Sequence, residues 1–222
     1  MNQIEAQWWG RVEYSESVDR QVRLRDEVIA RGTGGFVVFV EHPPVVTCGR
    51  NHDPSPEEIQ RIRAHGMDFQ RSSRGGQLTY HGPGQLVMYP ILHLGWLKMG
   101  VKEAVTSVTD SKINWLVERG IDCEWRDDAP GVWTRADSPR KLASVGMRIT
   151  RQVTWHGGAL NLTTDMSAFS VFQPCGFSGS VMTSVGEIED GTIDSEEAAR
   201  ELCLNLGKVL NHSIALPKGW KR

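Results

Sequence analysis

Residues 141–163 read KLASVGMRITRQVTWHGGALNLT. Apolar and polar side chains alternate from Leu142 to Thr150, then in two shorter runs, Val153 to His156 and Ala159 to Thr163, with turn residues between them. Strands set this close leave no room for the crossover helix that a repeating βαβ fold needs between parallel neighbours. Short strands at Cys123 to Arg126 and Gly131 to Arg135 precede them. The pattern favours an α+β fold: a mixed, mostly antiparallel sheet flanked by helices.

Upstream, Ser17 to Arg31 reads as a helix with Val18, Val22 and Ile29 on one face and Gly32 as its stop. Phe36 to Val40 is continuously apolar and β-branched, as a strand buried on both faces is, and Val45 to Cys48 resumes after Pro43-Pro44. Ser55-Pro56-Glu57-Glu58 combines a capping serine, a proline at the first helical position and a capping-box glutamate. Strands are expected at Met67 to Ser72 and at Gln85 to Leu92, the latter interrupted by Pro90. Val101 to Arg119 is expected to be a helix with Val101, Ala104, Val105 and Val108 on one face. A short helix is expected at Asp165 to Phe172, and a final one at Ser195 to Val209 with Ala198, Leu202, Leu206 and Val209 inward. No repeat or linker divides the chain, so residues 1–222 are expected to form a single domain.

With 39% hydrophobic residues, 23% charged residues and a net charge of −2, the chain can bury a real core and has no bulk charge for nucleic acid. No stretch approaches the ~20 apolar residues of a membrane span. The opening MNQIEAQWWGR lacks the basic region and apolar core of a signal peptide, so a cytoplasmic location is expected.

Cys48, Cys123, Cys175 and Cys203 are widely and irregularly spaced, without a C-x-x-C pair, which argues for free thiols over zinc or disulfides. Cys48 ends a strand, Cys123 lies in one and Cys203 lies in a helix. Cys175, between Pro174 and Gly176, sits on a turn. It is either a nucleophile or a small turn residue. A nucleophilic thiol needs a neighbouring cation or base. Lys141 is one candidate, the alternative being a solvated strand-end lysine, and His81 is another, the alternative being a hydrogen-bonded loop histidine. His156, before Gly157-Gly158, marks a second histidine–glycine site or an ordinary turn. The other histidines have no metal-ligand spacing.

Residues 74–85, RGGQLTYHGPGQ, concentrate glycine around His81. Gly75-Gly76, Gly82, Gly84 and Gly157-Gly158 would let a substrate approach the backbone. None has the spacing of a dinucleotide or nucleoside-triphosphate phosphate cradle.

In order along the chain stand E-H-P-P-V-x-T-x-G (41–49), R-G-G-x-x-T-Y-H-G-P-G-Q (74–85), Y-P (89–90), G-V-W (131–133), K-L-A-S-V-G (141–146), H-G-x-A-L-N (156–161) and P-C-G (174–176). Over about residues 14–185 this resembles the octanoyltransferase family of lipoate biosynthesis. The resemblance implies the fold of the catalytic domains of biotin- and lipoate-protein ligases. It implies transfer of an octanoyl group from octanoyl-acyl carrier protein to a lysine on lipoyl domains of 2-oxoacid dehydrogenase E2 subunits and on the glycine-cleavage H protein. It makes Cys175 the acyl-thioester nucleophile and Lys141 the residue that lowers its pKa and handles protons. Arg74, Gly75, Gly76, Gln77, Leu78, Thr79, Tyr80, His81, Ser144, Val145, Gly146, Gly157, Gly158 and Ala159 match the family's substrate-binding segments. No cofactor, metal, nucleic acid or membrane is implied, and a monomer is expected. Gly158 departs from the family, which more often carries a larger apolar residue there; if that position lines the acyl tunnel, chain-length preference shifts. The competing readings are an ATP-dependent lipoate- or biotin-protein ligase, which needs no cysteine, and a non-catalytic carrier-binding module.

Overall fold

The computed structural model describes residues 3–172, 179–189 and 193–220. The chain runs β1 (Ile4–Arg11), α1 (Tyr14–Arg31), β2 (Gly35–Glu41), β3 (Val45–Cys48), α2 (Pro56–Ala64), β4 (Asp68–Arg71), β5 (Leu78–His81), β6 (Gln85–Leu92), α3 (Leu94–Leu97), α4 (Val101–Glu118), β7 (Cys123–Trp125), β8 (Val132–Thr134), β9 (Lys141–Thr150), β10 (Val153–Asn161), α5 (Ser195–Leu210) and β11 (Ile214–Ala215). Among the described residues, eight strands form one sheet in the order β11-β1-β2-β6-β10-β9-β8-β7, and β4-β3-β5 form a small second sheet. Only the β1–β11, β1–β2 and β3–β4 pairs are parallel, so the expected mixed, mostly antiparallel sheet is the one found.

The continuous apolar run of β2 is buried at every position because both faces of the main sheet are covered. On one side, α4 and α5 enclose Phe39, Met88, Leu160, Trp115 and Leu202. On the other, α1 covers Val38, Val87, Tyr89, Ile91 and Ala159. A third cluster joins Val46, Leu78 and Tyr80 of the small sheet to Phe169 in the 3-10 turn Met166–Val171.

Several boundaries depart from the sequence expectation, each for a local reason. Helix α1 starts at Tyr14, and its deepest residues are Tyr14, Ser17, Gln21 and Val28; the three apolar residues expected inward are only half-buried. One of its buried polar residues serves the adjacent strand: Gln21 Oε1 accepts the His156 N–H at 2.9 Å. The runs 153–156 and 159–163 are one strand, β10, in which His156 takes a positive φ of 54° instead of a turn. Pro90 does not interrupt β6. The β6–β10 ladder ends at Met88, and beyond it Thr154 Oγ1 donates to Pro90 O at 2.6 Å and accepts from Leu92 N at 3.0 Å, so no partner on that side needs the N–H that proline lacks. Val101, expected inward, is exposed at the first turn of α4.

Ser55 caps α2 as its sequence requires, accepting from Glu58 N. No described helix is long and apolar enough to cross a membrane.

Candidate active site

Two adjoining cavities open between the loop after β4 and the β9–β10 hairpin. The inner one is lined by Arg74, Gly76, Thr79 and His81 on the loop and β5, by Ser144 to Gly146 on β9, by His156 to Ala159 on β10, and by Tyr14, Val87 and Tyr89. The outer one is lined by Asn51, Gly76, Gln77, Asp128, Pro130, Lys141, Ser144 and Val145. Gly76, Ser144 and Val145 belong to both, so the two spaces meet along that edge.

The inner wall contains many polar residues, and hydrogen bonds within the protein engage most of their polar atoms; His156 Nδ1 is buried without a partner among the described residues. His42 Nδ1–H donates to Val12 O at 2.6 Å, which leaves Nε2 to accept from the Tyr89 hydroxyl at 2.8 Å. The Tyr14 hydroxyl pairs with Ser72 Oγ at 2.7 Å. Gln85 Nε2 donates to Tyr80 O and Asn161 Oδ1, so its Oε1 accepts from His81 Nδ1–H at 2.7 Å, and His81 Nε2 is left as an acceptor. Burial pushes the His42 imidazole down to about 4; burial, and then the charges of Arg74, Arg148 and Arg25, push His156 down to about 3. Burial, with His42 and Arg74 nearby, holds His81 well below the ordinary histidine value. All three rings are therefore neutral at physiological pH, and a pocket walled by neutral rings, glycines, valine and alanine suits an aliphatic chain.

The Arg74 guanidinium ties its loop to β3: it donates to Thr47 Oγ1 and O on that strand and to Gly75 O and Gln77 O within the loop. It thereby fixes the curve that brings Gly76 to the meeting edge. Gly75 lines neither cavity; its N–H approaches Met147 O on β9 at 3.4 Å. Leu78 and Tyr80 also line neither. Alternate residues of a strand face opposite ways, so Thr79 and His81 face the cavity while Leu78 and Tyr80 join the cluster around Phe169.

Lys141, the first residue of β9, is 2% exposed and lies in the wall of the outer cavity. Its Nζ lies 5.7 Å from the centroid of the Trp133 ring. Gly131, with φ of 152°, makes its site: a Cβ there would overlap Lys141 Cε and stand 3.0 Å from Nζ and 2.5 Å from Ala143 O. The backbone of Lys141 is tied to the segment that follows the P-C-G block, its carbonyl accepting from Thr183 N at 3.0 Å. Asn161 Nδ2 holds Thr183 O in turn, which links that segment to Gln85 and His81.

Cys175 lies outside the described residues. The other three thiols are buried, and burial raises Cys48, brings Cys123 to about 11 and Cys203 to about 12, so none of them forms a thiolate readily at neutral pH.

Residues 13–206 match the lipoyl protein ligase A/B catalytic domain. An octanoyltransferase of Citrobacter koseri is 38% identical over 202 residues, covering 89% of this chain and 87% of its own. The mitochondrial octanoyl-[acyl-carrier-protein]:protein N-octanoyltransferase of Xenopus tropicalis is 40% identical over 181 residues, covering 79% and 74%. The chain belongs to the octanoyltransferase family. Octanoyltransferases are acyltransferases, and their fold here is that of the ligases: a putative lipoate protein ligase of T. acidophilum with bound lipoic acid superposes with a TM-score of 0.73 at 17% identity, covering 97% of this chain and 89% of that one.

Within the octanoyltransferase cleft, the sequence reading missed Tyr14, Val87, Tyr89, Asn51, Asp128 and Pro130. Tyr14 and Asn51 lie outside the matched blocks, Val87 and Tyr89 follow the 74–85 block on β6, and Asp128 and Pro130 precede G-V-W; only Tyr89, in the Y-P block, carried a motif signal. Gly158 lines the inner cavity through its backbone; a Cβ there would point at the α4 side of the sheet, 3.2 Å from Lys112 Nζ and 2.8 Å from Ser144 O. A side chain at position 158 would thus meet a lysine of α4.

Proposed function

We propose that the enzyme takes an octanoyl group from octanoyl-acyl carrier protein onto the sulfur of Cys175 and passes it to a lysine of lipoyl domains, those of 2-oxoacid dehydrogenase E2 subunits and the glycine-cleavage H protein, acting as a single-domain cytoplasmic monomer. The observation that carries this reading is the pair of adjoining cavities: a largely apolar slot for the chain and, across the Gly76–Ser144–Val145 edge, a space walled by the buried Lys141. The relatives' shared activity and the P-C-G block support the rest.

In the first step the Cys175 thiolate attacks the thioester carbonyl carbon. The bond to the carrier sulfur breaks, and the leaving thiolate takes the proton that Lys141 accepted from Cys175. A thioester replaces a thioester, so no ATP is consumed. In the second step the neutral acceptor amine attacks the acyl carbon. The Cys175 sulfur leaves and an amide forms, and the amine's surplus proton passes to Lys141. Burial of an eight-carbon chain, at ~0.8 kcal/mol per methylene, provides several kcal/mol of binding and a gauge of chain length.

Incubation with octanoyl-acyl carrier protein is expected to add one octanoyl mass, labile to hydroxylamine, at Cys175; an unchanged intact mass overturns the covalent route. Lys141→Ala is expected to suppress acylation more at neutral than at high pH, where bulk base forms the thiolate; a flat deficit would make Lys141 a positioning residue. Turnover on free octanoate plus ATP, with none on the carrier thioester, would establish a ligase instead.

A further inference from the structure

The outer cavity holds a carboxylate that the reaction scheme above leaves unused. Among the described residues that line either cavity, Asp128 is the one acid. It is presented by a rigid turn. Arg126 N donates to Gly131 O at 3.2 Å, and Trp133 Nε1 donates to Ala129 O at 2.7 Å, which closes the segment on both sides. Arg126 grips the carboxylate in a two-point bond, Nε to Oδ1 at 3.1 Å and Nη2 to Oδ2 at 2.5 Å, while its guanidinium carbon lies 5.2 Å from the Trp133 ring centroid. The same indole carries Lys141 Nζ at 5.7 Å. One tryptophan therefore organises Lys141 and the Arg126–Asp128 pair around a single space.

The acceptor in the second step creates an electrostatic problem. A lysine side chain arrives as an ammonium, because its ordinary pKa is ~10.4. It must leave water for a space walled by Pro130, Val145 and the buried Lys141, and a cation that loses hydration there needs a compensating negative charge. A carboxylate accepts at two oxygens with about four lone-pair directions. Asp128 can keep Arg126 on one side and still take an ammonium on the solvent side, where its side chain is 68% exposed. We infer that Asp128 receives the ammonium group of the incoming acceptor lysine and holds it at the mouth of the outer cavity, beside Lys141. The inference rests on the lysine-acceptor reading above and adds a residue that selects the acceptor and takes no part in loading the octanoyl group. Asp128 does not take the acceptor's proton; its role is binding. The ammonium's first proton goes to solvent before attack, and the proton shed as the amide forms goes to Lys141.

The test separates the two half-reactions. In Asp128→Asn, the rate and extent of octanoyl loading from octanoyl-acyl carrier protein are expected to equal those of the unaltered enzyme. The KM for a lipoyl-domain acceptor is expected to rise about tenfold with kcat changed less than about threefold. That rise is expected to shrink at high salt, as the attraction of a solvent-facing carboxylate is screened. Release of the octanoyl group by hydroxylamine, a nucleophile that is uncharged at neutral pH, is expected to be unchanged. Asp128→Glu restores much of the acceptor KM. Asp127→Asn, at an exposed carboxylate that lines neither cavity and accepts from Trp125 Nε1, leaves it unaltered. An unchanged acceptor KM in Asp128→Asn overturns the inference, and so does a loading step slowed as much as transfer, which would make Asp128 a support of the turn. If the unaltered enzyme shows no octanoyl adduct yet turns over, the covalent route fails, while the acceptor KM still decides the role of Asp128.

Discussion

Gly131 and Lys112 show how single residues shape the reaction centre from outside it. Gly131 faces Lys141 with a hydrogen where any other residue would place a carbon inside the lysine side chain. Gly131→Ala is expected to displace the amine and lower kcat by about a hundredfold, the order of loss that follows a misplacement of about 1 Å. Turnover, read beside an unchanged near-ultraviolet circular dichroism spectrum, checks this; wild-type turnover would show that the position of Lys141 is not critical. Lys112, fully buried beneath Gly158, has Val108 O at 3.3 Å, and burial brings its ammonium down to about 7. Its folded pKa is depressed, so the associated stability is complete above the unfolded value of ~10.4 and is lost as pH falls toward 7. Lys112→Met is therefore expected to stabilise the protein at neutral pH by about 2–4 kcal/mol. Wild-type stability should climb between pH 7 and 9 while the variant stays flat, as read by urea denaturation. Parallel slopes would refute a neutral buried amine.

At the scale of elements, the join between β6 and β10 decides the shape of the inner cavity. The positive φ of His156 turns its N–H toward Gln21 on α1, and Gly157 lets β10 lie so near β6 that a Cβ would overlap Met88 O. Thr154 then replaces the missing ladder bonds to Pro90 and Leu92. Thr154→Val keeps the shape and removes both bonds. It is expected to cost about 2 kcal/mol, because two buried backbone groups lose their partner; a urea midpoint within error of wild type would show that relaxation or water satisfies them. The sequence showed β-branched alternation on both sides of His156 and two glycines between, which read as a turn. Period and composition cannot distinguish a turn from a kinked strand when the deciding bond comes from a glutamine some 135 residues away.

For the whole molecule, the three neutral imidazoles around the inner cavity set the acid limit. Each has a folded pKa below the ordinary value of ~6.5, so each contributes stability that is full above pH ~6.5 and is lost as pH falls toward about 4 for His42 and about 3 for His156, with His81 in the same direction. Each is expected to contribute a slope of up to about 1.4 kcal/mol per pH unit in that window. Thermal denaturation from pH 7 to 4 reads the combined slope. His42→Gln is expected to reduce it, and an unchanged slope would mean that His42 protonates without unfolding the protein.

The sequence by itself determined the class of fold and the family. Strand spacing, helix caps and ordered motif blocks are local features, and each is written in neighbouring residues: the alternation of 142–150, the Ser55 cap, the R-G-G and K-L-A-S-V-G blocks. Only the tertiary structure decided which of the matched residues face the cavities. It turned Leu78 and Tyr80 into core, and committed the Arg74 guanidinium to β3 and its own loop. It brought in Tyr14, Tyr89, His156 and Asp128, and put Lys112 behind Gly158. Those placements depend on strand parity at one fixed register and on elements far apart in the chain meeting across a sheet. A one-residue change of register would reverse the strand faces among them, and no local pattern encodes it.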